Sequence, residues 1–235
     1  MLTNTQVVQI IDELKKSAFC YVSEAHIQLQ FAIIGAHKFG NQFDFIPEFP
    51  GHTAYSPNAQ QKTEFDLLVC DKKTGDKTLI EFKYKTKNEG KKNKQRMQYP
   101  VVLGGALELA NHGAQNLNRY DCWRDIYRIE QNVKNKDVNN GFFIFVTNDP
   151  LYKNEDGTTS FCYQGIKGMF SLKNGLHKAQ LKKVNPSLSV KTAGAFRLNN
   201  NIDIHNDYEF CYQPFQRFNV AKYNEFDYLL VEIDH

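Results

Sequence analysis

The chain has 235 residues, 41% hydrophobic and 23% charged, which is long enough to bury a sizeable core and too apolar for wholesale disorder. Its net charge is only +3, from 29 basic and 26 acidic residues, so overall charge does not mark a nucleic-acid binder and the distribution has to be read instead. The five cysteines, Cys20, Cys70, Cys122, Cys162 and Cys211, form no C-x-x-C pair. That argues against a zinc site or a disulfide framework and for reduced thiols in a cytoplasmic protein.

In chain order, the N-terminus reads as a short amphipathic helix with Val7, Ile10, Ile11 and Leu14 on one side, not as a secretory signal. A second helix is expected from Ser23, a good N-cap, through Glu24, Ile27, Phe31 and Ile34 to the Gly35–Gly40 region. Three strands follow: a short one from Phe43 to Phe49, closed by Pro50, then Phe65 to Cys70 and Thr78 to Tyr84. The Lys72-Lys73-Thr74-Gly75-Asp76 turn between the last two makes them a hairpin. After a lysine-rich stretch, helical patterning resumes over Val101 to Ala110 and returns more clearly over Gln115 to Val133, where Tyr120, Trp123, Ile126 and Tyr127 share a face. The apolar run Gly141 to Thr147 suits a strand covered on both faces. Beyond Leu151 the stretches 154–160, 186–195 and 199–206 read as loops, and Tyr208 to Phe218 and Phe226 to Ile233 as strands. No apolar run approaches the roughly 20 residues that span a bilayer, so no membrane partner is expected.

Chemistry concentrates in the hairpin. Side chains alternate faces along a strand, so Glu81 and Lys83 point one way while Ile80, Phe82 and Tyr84 point the other. Glu64 and Asp66 likewise share a face, opposite Phe65 and Leu67. Pairing across the Gly75 turn would let Asp66 and Glu81 converge, with Lys83 beside them. Two carboxylates at one point repel unless a cation sits between them, and Mg²⁺ favours one or two carboxylates plus waters and phosphate oxygens. The bland alternative is a solvated hairpin face of alternating charge.

Asp66, the intervening spacer and Glu81-Phe82-Lys83 resemble the PD-(D/E)xK nuclease superfamily, and the element order from Ser23 to Thr147 resembles its fold. Phe65 stands where the name of the motif has proline. The resemblance implies a single α/β domain over 1–235, with a restriction-endonuclease-like core of about 18–150. That core would be a mixed central sheet flanked by helices, elaborated C-terminally over about 151–235. It further implies Mg²⁺, replaceable by Mn²⁺, held by Asp66, Glu81 and the Phe82 carbonyl. Glu24 would join as a further acid from the first core helix, and Lys83 would position the attacking water. The expected activity is phosphodiester hydrolysis in nucleic acid, DNA before RNA, of restriction, defence or repair type. A homodimer stays open, and a non-catalytic nucleic-acid-binding or assembly module of the same fold is the alternative.

Gln95-x-x-x-Tyr99 is similar to a helical glutamine–tyrosine pair of RecB-like branches, although Pro100 argues against a continuous helix here. Between Lys85 and Arg96, the residues Lys85, Lys87, Lys91, Lys92, Lys94 and Arg96 are opposed only by Glu89, so this segment is the expected nucleic-acid contact. The polar pattern Arg119, Asp121, Asp125, Arg128 and Glu130 on the long helix reads as structural ion pairing. The seven histidines show no ligand spacing, and neither an esterase elbow nor a P-loop occurs.

Overall fold

The computed structural model describes residues 1–51, 63–88, 98–155, 168–184 and 201–234. Two helices lead the chain. Helix α1 (Asn4–Lys15) starts at a reciprocal cap, in which the Thr3 hydroxyl accepts from the Gln6 amide and the Gln6 side chain accepts from the Thr3 amide. Its buried stripe is the expected Val7, Ile10, Ile11 and Leu14. Helix α2 (Glu24–Phe39) is capped by Ser23, whose hydroxyl accepts the His26 amide, and ends at Gly40.

Strands β1 (Phe43–Gly51), β2 (Thr63–Asp71) and β3 (Lys77–Lys85) follow. After β4 (Tyr99–Pro100) and β5 (Ala106–Leu107) come helix α3 (Gln115–Lys134), the fully buried β6 (Asn140–Thr147) and the short α4 (Leu151–Asn154). The C-terminal part adds β7 (Gly175–His177), β8 (Gln180–Lys182), β9 (Ile202–Ile204), β10 (Tyr208–Phe210), β11 (Gln213–Arg217) and β12 (Glu225–Ile233).

A six-stranded mixed sheet runs in the order β1-β2-β3-β6-β12-β11. Only β3 and β6 are parallel, and α3 makes the crossover between them that parallel neighbours require. Helices cover both faces. One core joins α1 and α2 to Leu67, Val69, Ile80, Phe82 and Tyr84. The other joins α3 to Leu68, Leu79, Phe143 and Phe145. Glycine permits close seating on each side: a Cβ at Gly141 would run into Ile129 of α3, and one at Gly35 would run into the Phe45 ring. The residues expected as a C-terminal elaboration complete this sheet through β12 and β11, and α1 packs in the same core as α2.

Four expectations are corrected. The 101–110 region is not a helix. Leu103 and Gly104 have φ of 82° and 72°, and Tyr99–Pro100 pairs with Ala106–Leu107 across this turn. The expected 208–218 strand is two strands, β10 paired with β7 and β11 paired with β12, with a register shift at Pro214. Ile202–Ile204, read as loop, pairs with β8. Strand β1 continues through Pro47 and Pro50, and it stands at the edge of the sheet, where prolines are tolerated.

Candidate metal and phosphodiester site

The hairpin ladder stops where the chemistry begins. Pairing of β2 with β3 runs from Cys70↔Lys77 to Leu67↔Ile80 and goes no further. On the other side of β2, pairing with β1 skips the position opposite Asp66, where Glu48 takes a left-handed φ of 50°. Freed on both sides, β2 loses its regular alternation. Phe65 joins the core on the α3 side and Leu67 the core on the α1/α2 side, so the expectation that they share a face is corrected. Asp66 replaces the missing ladder bond with its side chain, its Oδ2 accepting the Phe82 amide N–H at 2.6 Å. The buried Gln28 of α2 donates its side-chain amide to the Asp66 carbonyl.

Glu81 and Lys83 project from β3 toward α3. Glu81 is 2% exposed, and the Arg128 guanidinium approaches its Oε1 at 3.2 Å without completing a hydrogen bond. Arg128 also donates to the Glu64 carbonyl at 2.6 Å and lies over the Phe65 ring at 4.5 Å, fastening α3 to the frayed end of β2. The Lys83 ammonium meets Asp125 Oδ2 of α3 at 2.7 Å and Glu24 Oε1 of α2 at 3.5 Å, and donates to the Phe82 carbonyl at 3.1 Å. Glu24 accepts the Tyr84 amide at 2.9 Å through its other oxygen. The four residues expected at the site, Asp66, Glu81, Lys83 and Glu24, are thus brought into one network. Asp125 and Arg128, read from the sequence as structural, belong to it. Glu130 does not: its carboxylate accepts from the His205 and Asn206 amides and the Tyr208 hydroxyl.

Burial pushes the carboxyl groups of Asp66 and Glu81 up, Glu81 strongly, with neighbouring carboxylates adding to the effect. Burial alone would pull Lys83 down, but Asp125, Glu24, Glu81 and Asp66 outweigh it and hold the ammonium firmly charged. Asp125 goes the other way from Glu81. Despite burial its carboxyl is held low by Lys83, Arg128 and Arg124. Further out, Asp121 pairs with Arg124 at 3.0 Å.

The set contains five carboxylates (Glu24, Asp66, Glu81, Asp121 and Asp125) and four cations (Lys83, Arg124, Arg128 and the Lys85 that acts on Asp121), so full ionisation leaves one negative charge uncompensated. The oxygens that could serve a hard divalent ion there are those of the Asp66 and Glu81 carboxylates, with a Glu81 oxygen that completes no hydrogen bond, and the Phe82 carbonyl, which the Lys83 ammonium meets at 3.1 Å. Among the described residues, no group of three or more His, Cys, Asp or Glu side chains is disposed to hold a metal by itself. Two carboxylates and a carbonyl suffice for an ion that keeps several waters.

The basic segment is placed only in part. Lys91, Lys92, Lys94, Arg96 and Gln95 lie outside the described residues. Lys85 ends β3, half-buried. Lys87 is engaged internally, with its ammonium 3.3 Å from Asp149 and over the Tyr223 ring at 5.4 Å. Tyr99 lies on a strand and its hydroxyl donates to the Tyr223 carbonyl, which removes it from any helical pair with Gln95. Among the described residues no helix is long and apolar enough to cross a membrane.

No protein-family model, curated protein or solved structure matches this chain. The functional reading therefore rests on the site itself.

Proposed function

We propose that this chain is a Mg²⁺-dependent nuclease hydrolysing phosphodiester bonds, DNA being the first substrate to test, on a restriction-endonuclease-like core. The observation that carries the reading is the convergence of Asp66, Glu81 and Glu24, from three different elements, around the backbone of Phe82 and the ammonium of Lys83. A structural ion pair needs two partners. This cluster draws on α2, β2, β3 and α3 and leaves an excess of acid.

Asp66, Glu81 and the Phe82 carbonyl would hold the ion, and Glu24, joined to Lys83 at 3.5 Å, would act on it through a water. Bound there, a divalent ion supplies a nucleophilic water at neutral pH and stabilises charge on a phosphoryl oxygen. Lys83, kept charged by its carboxylate surroundings, orients the attacking water and offsets negative charge as it develops on the phosphoryl group. The lysines at 85, 91, 92 and 94 and Arg96 continue from the end of β3 and supply the charge that a phosphate backbone would follow.

The test is cleavage of plasmid DNA and of single-stranded DNA and RNA in Mg²⁺ or Mn²⁺, with Asp66→Ala beside wild type. Metal-dependent cleavage abolished in the variant supports the reading. Absence of cleavage on every substrate favours the non-catalytic binding or assembly module instead.

A further inference from the structure

The ion pairs of Lys83 are not with the two acids of the hairpin. They are with Asp125 at 2.7 Å and Glu24 at 3.5 Å, although Glu81 stands two residues away on the same strand face. Asp125 is 1% exposed and lies on the α3 face that packs over β3. It is also approached by Arg128 at 3.4 Å and Arg124 at 3.9 Å. No backbone amide or hydroxyl donates to its carboxylate among the described residues, so it is neutralised by cationic side chains alone. A carboxylate buried so completely is costly unless paired, and here Arg128 donates to one oxygen while Lys83 makes the shortest contact, on the other.

We propose that Asp125 is a positioning residue that reserves Lys83: by pairing with the ammonium it keeps that ammonium from closing on Asp66 and Glu81, and so leaves the two acids to a divalent cation. The proposal rests on reading the hairpin as a cation site. In it Asp125 is not a ligand. Without the Asp125 charge, the nearest remaining acids for Lys83 are Glu24, Glu81 and Asp66, and the side chain becomes an internal competitor for the incoming ion. Deleting the competitor should make the identity of residue 125 nearly irrelevant to cation affinity.

The experiment is a double-mutant cycle on Mn²⁺ affinity, read by electron paramagnetic resonance of free Mn²⁺, in wild type, Asp125→Asn, Lys83→Met and the double variant. The expected pattern is affinity weakened by at least about tenfold in Asp125→Asn, a difference of about 1.4 kcal/mol. Lys83→Met should bind at least as tightly as wild type. In that background Asp125→Asn should change affinity by less than about threefold, well inside that tenfold step. Asp125→Glu, which keeps the charge, should recover most of the loss. Equal weakening by Asp125→Asn in both backgrounds would mean that Asp125 does not act through Lys83, overturning the proposal while sparing the cation site. Wild-type affinity in Asp125→Asn would do the same. No Mn²⁺ binding by wild type would overturn the cation-site reading and the proposal with it. If Asp125→Asn alone does not fold, the comparison of Lys83→Met with the double variant decides: a difference below about threefold supports the proposal, and a larger one, whether from a ligand role or from Arg128 released onto Glu81, overturns it.

Discussion

The Asp66 carboxylate accepts the amide of Phe82 at 2.6 Å, bonding the acid of β2 to the one backbone N–H that lies between Glu81 and Lys83. The bond exists because the β2–β3 ladder ends at Leu67↔Ile80, leaving the Phe82 amide without a ladder partner on β2. Asp66 thus has a structural duty and, in the proposed function, a ligand duty, and substitution separates them. Asp66→Asn keeps an acceptor for the Phe82 amide, whereas Asp66→Ala leaves a buried donor unpaired, at a cost of about 1–3 kcal/mol. Urea denaturation should place Asp66→Ala below Asp66→Asn by that margin, with both variants losing Mn²⁺ affinity. Equal stability of the two would show that the hydrogen bond contributes nothing.

Arg128 makes the second tie. It approaches Glu81 at 3.2 Å and Asp125 at 3.4 Å and covers the Phe65 ring. Arg128→Met keeps much of the stem and removes the charge, leaving Glu81 to take up a proton or remain as a buried anion. Breaking such a pair from one side costs about 3–5 kcal/mol. We expect a loss in that range by chemical denaturation, with part recovered in Arg128→Met/Glu81→Gln. A loss below about 1 kcal/mol, the level of an exposed pair, would mean that the pair is effectively solvated.

Much of this frame is legible in the sequence. The Ser23 cap, the turn at Gly75 and the alternation through Ile80-Glu81-Phe82-Lys83-Tyr84 each depend on local chemistry, so α2 and the hairpin are foreseeable. The roles of Asp125 and Arg128 are not. Acids and bases three apart on a helix read equally as surface or core ion pairs. What selects them is the seating of α3 on the sheet, which Gly141 allows from another element. The phase slip at Asp66 depends in turn on Glu48 across the sheet, at a register that no reading of β2 alone contains. Residues 101–110 mislead because their apolar spacing imitates a helix, while Val102, Leu103 and Leu107 are in fact exposed.

Lys83 distinguishes catalyst from binder. If it acts on the attacking water and on developing phosphoryl charge, its contribution is concentrated in the transition state and its removal should lower turnover more than affinity. Lys83→Met should slow single-turnover cleavage in Mg²⁺ by about 10²–10³-fold, as for loss of one electrostatic stabiliser. DNA affinity in Ca²⁺ should change by less than about tenfold, since at most one positive charge is withdrawn from the phosphates. Unchanged cleavage would remove Lys83 from the mechanism.

The basic segment divides by how its members are held. Lys87 is committed to Asp149 and the Tyr223 ring. Lys87→Ala should therefore lower thermal stability and leave the salt dependence of DNA binding nearly unchanged. Removing Lys91, Lys92 and Lys94 together should flatten the log–log salt slope by roughly 0.9 for each duplex-DNA phosphate that is no longer neutralised. A wild-type slope in that triple variant would reduce the segment to a solvated loop.

Away from the site, Lys182 offers a pH test. Its side chain is 1% exposed, with the ammonium donating to the Met169 carbonyl at 2.8 Å and lying 3.7 Å from the centre of the Trp123 ring. No carboxylate pairs with it among the described residues, and burial pulls it from the ordinary 10.5 down to about 7. Between those values the unfolded chain holds a proton that the folded protein lacks, so this group makes stability rise with pH across the window from about 7 to about 10.5. Below about 7 both states are protonated and the full penalty for the buried charge is present. Lys182→Met, which fills similar space without charge, should therefore raise Tm most at pH 7 and below. The gain should fade as the pH approaches 10, where the unfolded chain also begins to release the proton and keeping the folded lysine neutral costs little. At about 1.4 kcal/mol for each tenfold change in proton affinity the benefit is bounded at a few kcal/mol, and the carbonyl and the Trp123 face, which both favour the ammonium, reduce it further. Thermal melts of the two proteins from pH 6 to pH 10 measure the difference directly. A Tm gain that is constant with pH would mean that Lys182 titrates normally and that its substitution acts through packing alone.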